Sequence, residues 1–460
     1  MSPSPLDKRF WVSTGIVSLL GFSVRRPNIV LFMLGWPGSE LAQIWLVLQS
    51  INLVSLFNSK HSTQLFESKW VKLGLLLNLL AIKSGTDVLR ENIQSRDAFN
   101  LALSQANIPP RAGESFAKTL PGALLSLLPL LAVSRRGKEI TIERDIPYAD
   151  INEFAPELVQ RWKNTPTVVR PMVEIARGRL SKWMTMNVFH LKGNTNLPNA
   201  PVLASFHGGA WALADKWISA HSLFQRIASR GVIVCIINYR MSPEAPWPTH
   251  IQDCKRGLIY IKKHCHEWGG DANNVFISGE SAGGHLCALA ALTNNLPEFQ
   301  PPELPNEDTS VRGALPLYGI LDFTNASGAS ENTLLFSSKV LFQTGVSLDA
   351  LQGEFSRASP LYHLRQLLKN PDPSVGKDIV PFFSMHGTLD VLAPYDDFKL
   401  FVSEFKQLRI KTGEENKGDV FVTLPGAHHA VGFLPSPRND ALADAMCDFI
   451  YHHQVRKPRL

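Results

Sequence analysis

The sequence predicts an α/β chain, with a mostly parallel central sheet covered by helices on both faces and a helical, apolar, basic leader in front of it. Three observations predict this. Beyond residue 137, short β-rich runs alternate steadily with helical stretches, the pattern of a parallel sheet built from crossover units. Residues 1–136 carry 14 Lys/Arg against 7 Asp/Glu, whereas the remainder carries 32 against 33, so the net charge of +6 resides in the first third. At 460 residues and 45% hydrophobic, the chain exceeds one minimal domain and can bury a large core.

The leader contains four apolar stretches, at residues 11–24, 29–36, 41–57 and 71–82. Each is shorter than the roughly 20 residues a membrane-crossing helix prefers, and the third carries Gln43, Gln49 and Asn52. Their flanks hold Lys8, Arg9, Arg25, Arg26, Lys69, Lys72 and Lys83, with Trp11, Trp36 and Trp45 near apolar edges. Basic anchors and amphipathic rings at segment ends predict membrane association, spanning or interfacial, at an anionic surface. A helical cap packed on the main domain would also need apolar faces. A cleaved signal peptide is disfavoured, because no small-residue cleavage site precedes Arg25. Residues 86–106 read as an amphipathic soluble helix, 108–113 as a linker, and 120–133 as a further apolar segment interrupted by Pro121 and Pro129.

Strands are predicted at 139–144, 184–190, 201–206, 232–237, 275–278, 314–318, 381–385 and 420–424, with helices at 221–229, 249–267, 282–292, 395–408 and 440–451. In such sheets a ligand sits beyond the carboxyl ends of the strands, so the residues just after each strand carry the chemistry.

After 275–278 comes Gly279-Glu280-Ser281-Ala282-Gly283-Gly284, a Gly-x-Ser-x-Gly turn between a strand and a helix. That context strains the serine backbone and presents its hydroxyl at a helix N-terminus, as a nucleophile requires. After 201–206 comes His207-Gly208-Gly209-Ala210-Trp211. The N–H groups of Gly208, Gly209 and Ala282 are candidate donors to a developing oxyanion, and His207 reads as a loop anchor rather than a proton carrier. After 381–385 comes His386-Gly387-Thr388-Leu389-Asp390, which offers Asp390 as the acid that orients an imidazole. Its rivals Asp396 and Asp397 lie where a helix begins. After 420–424 comes Pro425-Gly426-Ala427-His428-His429, and on chemistry alone either histidine could be the base.

Neither Cys-x-x-Cys, His-Glu-x-x-His nor Gly-x-Gly-x-x-Gly occurs, so neither a metal nor a nucleotide cofactor is implied. The five cysteines are an odd set, with Cys235 and Cys287 inside apolar runs, and predict no disulfide framework. Confinement of positive charge to the leader argues against a nucleic-acid partner for the rest of the chain.

These motifs, with Arg144 to Tyr148, Asn238-Tyr-Arg-Met-Ser-Pro-Glu244, Trp268-Gly-Gly-Asp271, Leu317-Tyr-Gly319 and Ala358-Ser-Pro360, resemble the hormone-sensitive-lipase-like branch of the α/β-hydrolases. Within it, the chain is most similar to the actinobacterial carboxylesterase/lipase group with a hydrophobic amino-terminal region. The resemblance covers nearly all of 138–435. It implies an α/β-hydrolase domain at 138–460 with a cap insertion about 323–368, a leader at 1–137, and Ser281, Asp390 and His429 as a triad, because relatives place the base third after the glycine. Two positions depart from the commoner pattern: Ala210 stands where many relatives have a third glycine, and Glu280 where Asp or Gly is commoner. The implied reaction is ester hydrolysis through an acyl-enzyme, on apolar or lipid-derived esters, without a cofactor. Rivals are amide or thioester hydrolysis by the same triad, and a membrane-anchored binding protein without catalysis. Phe336, Leu341, Phe342 and Phe355 are candidates either for an acyl pocket or for the core of the cap.

Overall fold

The computed structural model describes residues 69–110 and most of 139–455, with breaks at 165–181, 194–198, 218–220, 330, 343–351, 370–378 and 435; Leu46, Ser50, Glu174 and Arg179 are described as isolated positions. The first three apolar stretches of the leader and the segment 120–133 lie outside these residues, the two isolated positions in 41–57 apart.

Eight strands form one sheet: β1 (Ile140–Pro147), β2 (Thr185–Leu191), β3 (Ala200–Phe206), β4 (Ile233–Ile237), β5 (Gly270–Glu280), β6 (Ala314–Leu317), β7 (Phe383–Gly387) and β8 (Val420–Leu424). Their spatial order is β1-β2-β4-β3-β5-β6-β7-β8. The β1–β2 and β2–β4 pairs are antiparallel and all later pairs are parallel, so β3 to β8 aim their carboxyl ends at one edge of the sheet. The central strand β4 is apolar throughout, as burial on both faces demands, and every one of its residues is buried. The five predicted helices are present as α2 (His221–Ser229), α3 (Thr249–His264, continued by the 3-10 turn Cys265–Trp268), α4 (Ala282–Leu292), α7 (Tyr395–Thr412) and α8 (Pro437–His453). Between β6 and β7 lie α5 (Glu331–Val340) and α6 (Pro360–Lys369). All five cysteines are buried and unpaired.

The leader contributes α1 (Lys69–Gln105), one continuous helix of 37 residues. The stretch 71–82, which the sequence reads as a candidate membrane segment, is the N-terminal third of α1, continuous with the amphipathic 86–106. Among the described residues no helix is long and apolar enough to cross a membrane. The buried seam of α1 runs through Asn78, Ala81, Gly85, Val88, Asn92, Ser95, Phe99 and Ala102, with alternating three- and four-residue spacing that keeps one face inward. Its C-terminal half packs on α8 and β8. Phe99 stacks with Phe383 of β7 at 6.3 Å, Arg438 Nε donates to Ser95 Oγ at 3.0 Å, and Arg96 joins Arg226 and Arg230 around Asp444.

Candidate active site

The turn from β5 into α4 is built around close backbone approaches. A Cβ on Gly279 would lie 2.1 Å from the Gly283 carbonyl oxygen, and one on Gly283 would lie 2.0 Å from that of Phe206, so neither position accepts a side chain. Between them Ser281 adopts φ 56°, ψ −115°, a conformation costly for any L-residue, and occupies the N-cap of α4. Its N–H donates to the Leu317 carbonyl at 3.0 Å, which ties the turn to the end of β6. The hydroxyl therefore stands above the sheet's carboxyl edge at the positive end of a helix.

Asp390 and His429 arrive on the loops after β7 and β8. A Cβ on Gly387 would meet the Ala427 carbonyl oxygen at 2.3 Å, so the glycine lets these two loops touch, and Leu389 N–H donates to Ala427 O at 2.9 Å. His429 bridges the remaining gap. Its Nε2 lies 2.7 Å from Ser281 Oγ and its Nδ1 lies 2.7 Å from Asp390 Oδ2, while the Tyr318 ring packs edge-on against the imidazole at 5.0 Å. Of the adjacent pair of histidines, His429 makes both contacts, and His428 is buried. Asp396 and Asp397 stand in the first turn of α7; Asp396 pairs with Lys399 at 2.6 Å and Asp397 bonds Ser327, so both serve that helix end rather than the site.

The carboxylate of Asp390 is fully enclosed, and its Oδ1 accepts the N–H groups of Leu392 and Ala393, both at 2.9 Å. Burial alone would disfavour its charge. The attraction of His429 and hydrogen bonds from His386 and His429 outweigh that, and hold the carboxyl well below the usual carboxylate range. His386, quoted in the sequence only as part of the loop, places Nε2 3.2 Å from Asp390 Oδ2 and 2.9 Å from the Ala393 carbonyl oxygen. The sequence signal was the residue pair His386-Gly387 four positions before an acid; it gives no hint that the ring turns back toward that acid.

The loop after β3 is held from both sides. His207 stacks on Tyr239 at 4.4 Å, and the Tyr239 hydroxyl donates to the His207 carbonyl at 3.0 Å. Burial pushes the His207 imidazole down to about 4, so it is neutral near pH 7, consistent with an anchor rather than a proton carrier. Trp211 Nε1 donates to His285 Nδ1 at 3.1 Å, and His285 Nε2 donates to the Ala358 carbonyl at 2.8 Å, joining the loop to α4 and to the chain before α6. Gly209 at φ 109° and Ala210 and Trp211 at φ 50° and 59° curl the loop toward Ser281. Gly208 comes so close that an added Cβ would be 3.4 Å from Ser281 Cβ. Among the described residues no acceptor takes the N–H of Gly208 or Gly209.

A cavity of about 740 Å³ opens over these groups, lined by Gly208, Gly209, Ser281 and His429 at its floor and by Leu213, Phe336, Leu392 and Phe433 on its walls. Of the four cap residues singled out in the sequence, only Phe336 lines it. Leu341, Phe342 and Phe355 are buried in the core, where Phe342 packs on Trp247, Phe323 and Phe355. Glu280 is buried beside Ser281 and contributes to the cavity lining.

Residues 188–405 match the family described as BD-FAE, just under half of the chain. A probable carboxylic ester hydrolase, LipM, of Mycobacterium tuberculosis is 38% identical over 253 residues, which are 55% of this chain and 54% of that protein. The esterase LipQ of the same organism is 34% identical over 55% of each chain. Among solved structures, a thermostable esterase from Pseudomonas putida covers 59% of this chain and 79% of its own at 21% identity, with a TM-score of 0.43. The chain thus spans about half the length of the curated relatives it matches.

Proposed function

We propose that the chain is a hormone-sensitive-lipase-like α/β-hydrolase, a reading supported by its similarity to actinobacterial carboxylic ester hydrolases, and that it hydrolyses carboxylic esters through an acyl-enzyme on Ser281. The observation that carries the reading is the single imidazole of His429, 2.7 Å from both a strained serine hydroxyl and a buried carboxylate. In this reading His429 Nε2 takes the Ser281 proton as Oγ bonds to the ester carbonyl carbon, and the carbonyl electron pair moves onto oxygen. Gly208, Gly209 and Ala282 supply N–H donors to that oxyanion; one such donor is typically worth about 3 kcal/mol in the transition state. Collapse expels the alcohol, which takes its proton from His429. Water then loses a proton to His429, attacks the acyl carbon, and Ser281 recovers its proton as the acid leaves. Asp390 keeps the Nδ1 proton in place and balances the imidazolium.

The aliphatic and aromatic walls of the cavity favour an apolar acyl or alcohol group, as in a lipid-derived ester. The catalytic unit in this reading is 138–460, and the leader of 1–137 brings it to an anionic membrane surface. Supporting that role, Leu73, Leu76, Leu79 and Leu80 are 41%, 53%, 59% and 55% exposed on α1, beside the exposed Lys72 and Lys83. Hydrolysis of p-nitrophenyl esters of increasing acyl length, with Ser281→Ala as control, tests the chemistry. Activity abolished in the variant supports the proposal, and a folded wild type inert on every ester removes it. Sedimentation of the full chain with anionic but not zwitterionic vesicles tests the surface, and equal recovery with both contradicts it.

A further inference from the structure

Two imidazoles, not one, converge on the buried carboxylate, and only one of them is used by the mechanism above. Asp390 Oδ2 has His429 Nδ1 at 2.7 Å on one side and His386 Nε2 at 3.2 Å on the other. The His386 side chain is 1% exposed. Its Nε2 also lies 2.9 Å from the Ala393 carbonyl, which can only accept, so Nε2 carries the proton. Its Nδ1 is buried without a hydrogen-bond partner among the described residues, and its ring packs against Phe398 at 5.2 Å and Tyr395 at 6.2 Å. A proton on Nδ1 would be buried without an acceptor among the described residues, whereas the Nε2–H bonds the Ala393 carbonyl and lies beside Asp390 Oδ2.

We propose that His386 is a positioning residue for the triad, whose shared Nε2–H holds Asp390 in the rotamer that faces His429; this rests on the triad reading above. The Leu392 and Ala393 amides grip Oδ1 and so limit rotation about the Cβ–Cγ bond, but a pivot of the carboxylate about Oδ1, which swings Oδ2, has to be restrained from the Oδ2 side. His386 supplies that restraint. The groups facing the acid are those of its own loop, His386 of β7 and His429 of the loop after β8, with neither Lys nor Arg among the described hydrogen-bond and ion-pair partners of Asp390. Loss of the restraint lets the carboxylate turn out of line, so the His429 imidazolium loses part of its partner and releases its proton more readily.

The test uses the whole chain, labelled with ¹⁵N-histidine, as wild type, His386→Phe and His386→Gln, the His429 signal being assigned by its loss in His429→Gln. Phe keeps the ring packing and removes the N–H, and Gln restores a donor at similar reach. The proposal expects His429 in His386→Phe to titrate at least half a pH unit lower than in wild type, kcat to fall about 10- to 100-fold with KM changed less than twofold, and the Gln variant to recover most of both. An unchanged His429 titration in His386→Phe overturns it, even if the melting temperature falls, because His386 would then only tie β7 to the Ala393 loop. An upward shift overturns it too, since the lost N–H would then have acted by weakening the carboxylate. Because the titration needs no substrate, failure of the positioning role is distinguishable from failure of ester hydrolysis, which the Ser281→Ala comparison reads separately.

Discussion

Replacing Asp390 by Asn removes a charge while keeping volume, and the site dictates how the amide must sit. Four N–H groups converge on the carboxylate: Leu392 and Ala393 at 2.9 Å on Oδ1, His429 Nδ1 at 2.7 Å and His386 Nε2 at 3.2 Å on Oδ2. An asparagine can satisfy the two backbone amides only with its oxygen, which turns its NH2 toward His429. A donor there forces the His429 proton from Nδ1 to Nε2, and Nε2 then cannot accept the Ser281 proton. The expected loss in kcat is about 10⁴-fold, or about 5 kcal/mol at the conversion of 1.36 kcal/mol per decade. Steady-state rates on p-nitrophenyl butyrate, with the melting temperature as a check on folding, give the answer. A folded Asp390→Asn enzyme within tenfold of wild type would refute the reasoning.

Four further outcomes follow from the geometry. Gly283→Ala puts a methyl 2.0 Å from the Phe206 carbonyl oxygen and should cost about 1–3 kcal/mol or more in urea unfolding, together with activity; wild-type stability would mean the turn can open. Asp444→Asn removes the acid between Arg96, Arg226 and Arg230, so amide exchange in α1 should accelerate at least tenfold; unchanged protection would show that apolar packing alone holds the helix. Burial depresses His207 and His285 to about 4 and His250 to about 3, so these rings are neutral in the folded chain between there and the ordinary value of 6.5, while the unfolded chain takes up their protons. Stability should therefore fall as pH drops from 6.5 toward 4, by about 1.4 kcal/mol per pH unit for each ring; a flat unfolding free energy from pH 6.5 to 5 would contradict this. Phe336→Ala should shift the preferred acyl chain to longer esters, because Phe336 lines the cavity, whereas Phe355→Ala should chiefly lower the melting temperature; an unmoved chain-length profile in Phe336→Ala would take that wall out of the substrate path.

The sheet was legible because its strands are short apolar runs with breakers between them, and both-face burial leaves that mark on sequence. The site was legible for a different reason: Gly279 and Gly283 are positions where nothing but hydrogen fits, so backbone crowding writes itself into local sequence. What escaped depends on contacts between distant segments. In α1 the buried seam includes Asn78, Asn92 and Ser95 while Leu76, Leu79 and Leu80 are exposed. Composition therefore marked 71–82 as apolar without revealing which face turns inward, or that the helix runs unbroken to Gln105. The same limit applies to Phe336 and Phe342, six positions apart and alike in composition, of which one lines the cavity and the other is core. His386 escaped because its approach to Asp390 depends on how the chain turns between β7 and Ala393.

The most direct measurement is stoichiometric labelling of the full chain with an alkyl fluorophosphonate, followed by peptide mass spectrometry and an ester hydrolysis assay on the same sample. The account predicts one phosphonyl adduct, on Ser281, with activity lost in proportion to labelling and no adduct in His429→Gln. An adduct on another residue, or full labelling of Ser281 with ester hydrolysis intact, would contradict it.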